Sequence, residues 1–150
     1  MCCATKLGLL REKYGVNAII GGMNWQVVFH DQFEPEFAAL TANVQDELLA
    51  HAVLLRDYGP GLGRPTVDTL KGSQHGNMKE LRFRHGKEVW RVAFAFDPAR
   101  QAVLLVAGDK AGADQRLFYK RLIDKADSRL TLHLAEIYAT SKEKHHGKKT

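Results

Sequence analysis

Apolar and polar residues alternate over residues 25–29, with Trp25, Val27 and Phe29 on one face, which predicts a strand. Asp31-Gln32-Phe33-Glu34 follows with the look of an N-cap and an acid three residues on, and Pro35 suits the first turn of a helix. A second helix is expected from about Asn43 to Asp57, burying Val44, Leu48, Ala52 and Leu55. The run Tyr58-Gly-Pro-Gly-Leu-Gly-Arg-Pro stops it, and a long connection then reaches Asn77. Alternation resumes from Met78 to Arg84, with Leu81 and Phe83 on one face and Glu80, Arg82 and Arg84 on the other. After the turn at His85-Gly86-Lys87, residues Val89 to Phe96 alternate again, Trp90, Val92, Phe94 and Phe96 opposing Arg91, Ala93 and Ala95. Residues 102–107 are apolar throughout, as in a strand covered on both faces. Gly108 breaks that strand, and a helix is predicted from about Ala113 to Tyr138, with Phe118, Leu122, Ala126, Leu130, Leu134 and Ile137 along one side and Lys120, Arg121, Asp124 and Lys125 in water. Strand, two helices, a three-stranded antiparallel meander and a C-terminal helix make a small α+β sandwich.

Length and composition suit one domain. The chain has 150 residues, 45% of them hydrophobic, and no apolar run approaches the length needed to span a bilayer. Gly21-Gly22-Met23 ahead of a strand reads like the natural opening of a domain. Residues 1–22 are therefore expected to be an upstream extension, mis-started or disordered, the domain to run over 23–140, and residues 141–150 to be a disordered basic tail. The opening residues lack a clear signal-peptide pattern. Cys2 and Cys3 are adjacent and supply no disulfide framework, so a reducing, cytoplasmic setting is expected.

The formal net charge of +5 comes from the two ends: residues 1–22 carry +2, residues 141–150 carry +3, and the domain between is neutral. Within the domain the charges are polarised. From Asp31 to Tyr58 the balance is −5, and from Arg64 to Arg91 it is +4, so an anionic ligand is steered toward the second segment. If Leu81, Phe83, Trp90, Val92 and Phe94 face the core, pleating puts Arg82, Arg84 and Arg91 together on the other face of two neighbouring strands. Guanidinium forks suit phosphate because they bond it bidentately and never lose their charge. Ala93 and Ala95 beside Arg91 would leave that face shallow enough for a ligand backbone. The plain alternative is a solvated polar face on a half-covered sheet, with Glu80 and Arg82 as a weak surface ion pair. Lys71, Gly72 and His75 in the preceding loop, and Asp109-Lys110 after the last strand, surround the arginines. His75 and His85 are candidate acid–base groups because they titrate near neutrality. His51 is expected on a helix surface. His145-His146 lie in a charged run without metal-site spacing, so no metal and no cofactor are expected.

Leu70-Lys71-Gly72, Lys79-Glu80-Leu81-Arg82, Trp90-Arg91-Val92, an apolar strand and Gly108-Asp109-Lys110 before a helix resemble, in that order, the RelE/ParE toxin superfamily, most nearly its phage-derived HigB-like group. The resemblance spans about Met23 to Leu122. It implies a RelE-like sandwich and a toxin of a type II toxin–antitoxin system that cleaves mRNA, mostly on the ribosome and without a metal, leaving a 2′,3′-cyclic phosphate and a 5′-hydroxyl. Carried over, it implies that Arg82 and Arg91 hold the phosphate, that Lys71 or Lys79 contacts the RNA backbone, that Lys110 is the basic group after the last strand, and that Arg84 assists. Glu80 stands where some relatives carry a lysine, so it is either the base or the group that positions an arginine. Tyr119 is displaced from the family's late tyrosine and is a candidate for stacking on a base, and His75 for contacting RNA. The resemblance also implies an antitoxin partner, commonly a helix-turn-helix protein. The competing readings are a ParE-like gyrase-inhibiting toxin, against which the arginine cluster speaks, and a non-catalytic relative that binds only its antitoxin.

Overall fold

The computed structural model describes residues 18–21 and 25–147, with side chains from 25 to 142. Six strands form one sheet: β1 (Ala18–Gly21), β2 (Gln26–Phe29), β3 (Val67–Thr69), β4 (Lys79–His85), β5 (Glu88–Phe96) and β6 (Gln101–Asp109), in the order β1-β2-β6-β5-β4-β3. The β4-β5-β6 meander is antiparallel, as its alternation predicts, while β2 joins β6 in parallel. Helices α1 (Phe33–Ala38) and α2 (Ala42–Tyr58) lie between β2 and β3, and α3 (Gln115–Gly147) ends the described chain.

Two apolar clusters sit on opposite faces of the sheet. Phe33, Phe37, Val44, Leu48 and Leu55 of the first two helices pack on Phe29, Leu81, Phe83, Trp90, Val92, Phe94 and Leu104. On the other face Leu122, Ala126 and Leu130 of α3 pack on Val28, Met78, Ala93, Ala95, Val103 and Leu105. Strand β6 feeds both clusters, which is why its sequence is apolar without alternation.

Several local expectations change in detail. Asp31 does not cap α1. Its first turn is instead fixed by His30, whose carbonyl accepts from Phe33 and Glu34 and whose Nδ1 accepts from the Gln32 amide at 3.1 Å. Thr41 caps α2, its hydroxyl accepting from the Val44 amide. Gly59 ends α2 at φ +55°, and the Trp25 indole nitrogen lies where its Cβ would be. Only glycine satisfies both demands. The long connection to Asn77 is not wholly irregular, since three of its residues form β3 on the sheet edge. His51 is not a free surface residue: its ring stacks on Phe83 at 5.2 Å. Residues 18–21, placed by the sequence in the N-terminal extension, pair with β2, and α3 continues well past Tyr138 into the expected tail. Residues 1–17, 22–24 and 148–150 of those end segments lie outside the described residues.

Polar groups anchor α3 across the sheet. Arg129 is almost buried and donates to both carboxylate oxygens of Glu36, at 2.8 and 2.6 Å, and to the Leu105 carbonyl. Asp97 accepts from the Ala99 and Gln101 amides, from Gln101 Nε2 and from His133 Nε2, the last at 2.7 Å. Burial alone would raise the Asp97 pKa, but the bonds from His133 and Gln101 leave it below its ordinary 3.8. Because the folded value is depressed, the stabilisation is complete above 3.8 and is lost as pH falls through the lowered folded value. Urea midpoints measured on acidification below 3.8 should therefore drop more steeply for the natural chain than for Asp97→Asn. Equal slopes would remove Asp97 from the anchoring of α3.

Candidate functional site

Register brings the arginines together. Arg82 on β4 is directly opposite Arg91 on β5, and Glu80 is opposite Ala93, so Glu80, Arg82, Arg84 and Arg91 share the face on which α3 packs. That face is not the open surface expected from alternation. Ala93 and Ala95 are fully buried under α3, so their small size serves helix packing rather than ligand approach. Arg91 and Glu80 are also buried, at 8% and 3% exposure. Arg84 stays exposed and Arg82 half-exposed.

Glu80 organises this cluster. Its Oε1 accepts from Arg82 Nε at 3.0 Å and Nη2 at 2.7 Å, a charge-assisted contact far from the weak surface pair of the plain alternative. Its Oε2 accepts no hydrogen bond among the described residues and lies 3.9 Å from Arg91 Nε, which likewise makes none. Arg91 is held in place by its Nη1, which donates to the Trp90 carbonyl at 2.9 Å. A buried acceptor and a buried donor without hydrogen bonds are costly unless a ligand or water completes them.

The segment after β6 completes the cluster. Asp109 Oδ1 accepts from the Val89 and Ala111 amides, which folds the turn back onto β5. Gly108 is demanded by close approach, since a Cβ there would come within 2.8 Å of the Phe118 ring. With Phe118 seated on Gly108, the next residue, Tyr119, turns toward the arginines. Lys110 Nζ lies 5.7 Å from the centre of the Tyr119 ring. Burial pushes the Lys110 pKa down, with Arg91, Arg82 and Arg84 adding to the effect and Glu80 opposing it. Burial likewise pushes the Tyr119 phenol up, Arg91 opposing and Glu80 adding. A groove of about 310 Å³ is lined by Pro65, Thr66, Arg82, Phe83, Arg84 and Arg91.

Glu80, Arg82, Arg84, Arg91, Lys110 and Tyr119 thus form one cluster. The other candidates lie elsewhere. Lys79 shares the face of Leu81 and Phe83, opposite Thr69 and Phe94, so pleating sends it to the α2 side. His75 bonds to Thr131, roughly 18 Å further along α3 than Tyr119, within a loop that Ser73 and Gln74 tie to Asp127. His85 has the parity of Phe83 and also misses the cluster. Lys71 is exposed at the rim, within electrostatic reach of Asp68, next to Gly72, which faces Ile123 one turn beyond Tyr119. Asp68 is the member that sequence reasoning missed: it stands opposite Glu80 and 3.4 Å from Arg82 Nη2. Among the described residues no group of three or more His, Cys, Asp or Glu could hold a metal ion, and no helix is long and apolar enough to cross a membrane.

Comparison with known proteins agrees with this architecture. A family model described as "Phage derived protein Gp49-like" matches residues 35–131, from α1 into α3. Two curated relatives come from Mycobacterium tuberculosis (strain ATCC 25618 / H37Rv). "Putative toxin HigB2" is 35% identical over 99% of this chain and 69% of its own length. "Putative toxin HigB3" is 46% identical over 69% of this chain and 88% of its own. Among solved structures, an arginine-to-alanine double mutant of the E. coli toxin RelE in the free state superposes with a TM-score of 0.50 at 13% identity, covering 69% of this chain and 97% of that one. At that identity the likeness speaks for the fold alone. The chain belongs to the phage-derived Gp49-like family, shares it with relatives named as HigB toxins, and carries the RelE fold.

Proposed function

We propose that this protein is the toxin of a type II toxin–antitoxin system and cleaves mRNA, on the ribosome, by attack of a ribose 2′-hydroxyl on the adjacent phosphate. The observation that carries this reading is the cross-strand pair Arg82–Arg91 with buried Glu80 between them, its Oε1 on Arg82 and its Oε2 beside Arg91. The reaction needs a group to take the 2′-hydroxyl proton, cations for the extra charge on phosphorus, and an acid for the departing oxygen. Glu80 Oε2 takes the proton while the 2′-oxygen forms its bond to phosphorus. Arg82 and Arg91 neutralise the pentacoordinate phosphate. Lys110, whose lowered pKa makes it a better proton donor near neutral pH, protonates the 5′-oxygen as the phosphorus–oxygen bond breaks. The products are a 2′,3′-cyclic phosphate and a 5′-hydroxyl, and no metal or cofactor takes part. Arg84 and Lys71, both exposed, bind flanking phosphates, and Tyr119 covers the cluster and offers a ring for a base.

Such a protein needs a cognate antitoxin, and its polarised charge favours an acidic segment laid over the arginine groove. The test is addition of purified protein to a translating lysate. New 5′-hydroxyl mRNA ends that require translation and disappear with Arg91→Lys are expected. Intact mRNA with accumulated gyrase–DNA complexes would replace this reading by the gyrase one.

A further inference from the structure

One arginine of the groove, Arg82, is already engaged by carboxylates in the free protein. The register of β3 on β4 sets Asp68 directly opposite Glu80, two carboxylates on one face where like charges repel. Arg82 bridges them: its Nη2 is 2.7 Å from Glu80 Oε1 and 3.4 Å from Asp68 Oδ2. The two contacts differ in kind. Glu80 is almost fully buried and receives two donors from Arg82. Asp68 sits on a three-residue edge strand, with its side chain 31% exposed, and meets Arg82 through one long contact. Its Oδ1 is occupied by the Thr69 amide at 2.8 Å, so Oδ2 alone faces the cations. Arg64 Nε reaches the same Oδ2 at 3.4 Å.

Oδ2 therefore stands where an incoming oxyanion would meet Arg82 and Arg64, and Arg82 itself lines the groove with Pro65, Thr66, Phe83, Arg84 and Arg91. We propose that Asp68 is an internal competitor for phosphate, occupying Arg82 and Arg64 in the free protein and yielding them when a phosphodiester enters the groove. This rests on reading the groove as a phosphate site. Exchange is feasible at Asp68 and not at Glu80, because a partly exposed pair at 3.4 Å is weak whereas a buried one at 2.7 Å is not. Asp68 then sets affinity: it keeps the groove from holding stray anions and lowers its grip on each phosphate that passes.

The experiment compares the full chain with Asp68→Asn and Asp68→Glu. The asparagine keeps the carbonyl that accepts from Thr69 and removes the charge, whereas the glutamate keeps the charge and changes the shape. Two probes are used: inorganic phosphate, followed by the NMR signals of arginine Nε–H groups, and an RNA oligonucleotide with 2′-deoxy residues that bind without being cut. Asp68→Asn should bind both about fivefold more tightly than the natural chain. Asp68→Glu should stay close to the natural chain, and so should Asp57→Asn, a control on α2 whose carboxylate pairs with Arg56. Asn and natural chains of equal affinity, or Asn and Glu variants shifted alike, would overturn the proposal. If Asp68→Asn gains affinity for phosphate while no chain cuts RNA, the competitor role stands and the nuclease reading falls.

Discussion

An Arg82→Lys variant should remain folded and lose about a hundredfold to a thousandfold in RNA cleavage. Lysine can keep one charged contact to Glu80, so the buried carboxylate is not left alone. It cannot reproduce the fork that joins Nε and Nη2 to Glu80 and leaves the rest of the guanidinium facing the groove. Alanine is the poorer choice, because removing both hydrogen bonds to buried Glu80 Oε1 would cost about 1–3 kcal/mol of stability and confuse folding with chemistry. Melting temperature and single-turnover cleavage, measured on the same preparation, separate the two effects. A folded Arg82→Lys protein that cuts within a few-fold of the natural rate would reduce Arg82 to a structural partner of Glu80.

Glu80→Gln carries the second large effect and splits binding from catalysis. The amide oxygen still accepts from Arg82, but in the proposed reaction nothing remains to take the 2′-hydroxyl proton, so cleavage should fall by about a hundredfold to ten-thousandfold. Removing a negative charge from among Arg82, Arg84, Arg91 and Lys110 should leave affinity for uncleavable 2′-deoxy RNA unchanged or tighter. If Glu80 only positioned the arginines, binding and cleavage would fall together. The two carboxylates flanking Arg82 thus predict different signatures: Glu80→Gln binds and does not cut, while Asp68→Asn binds more tightly and still cuts.

Much of this was legible from local pattern. Alternation in β4 and β5 puts Arg82, Arg84 and Arg91 on one face, and the apolar run of β6 foretells cover on both sides; the register and the two core clusters agree. What alternation cannot convey is what lies on top of a face. Ala93 and Ala95 read equally well as a floor for a ligand or as room for a helix, and α3 takes that room. Burial of Glu80 and Arg91 depends on the same helix, and Tyr119 arrives only because Phe118 seats on Gly108 one strand away. Lys79 has the parity of Leu81, which the alternation itself shows, and stands apart from the arginine cluster. His75 was drawn off by Thr131, and Asp68 went unseen because β3 has three residues in a segment rich in glycine and proline. Non-local contacts decide each of these cases.

The central claim is that a ribose hydroxyl, guided by this cluster, is the nucleophile. The most direct measurement uses a translated mRNA in which the nucleotide 5′ to a mapped cut carries 2′-deoxyribose. The natural chain should cut the all-ribose message to a 2′,3′-cyclic phosphate and a 5′-hydroxyl with chelator present, and should leave the deoxy-substituted junction intact. Equal cutting of both messages, or fragments with 5′-phosphate ends, would contradict it.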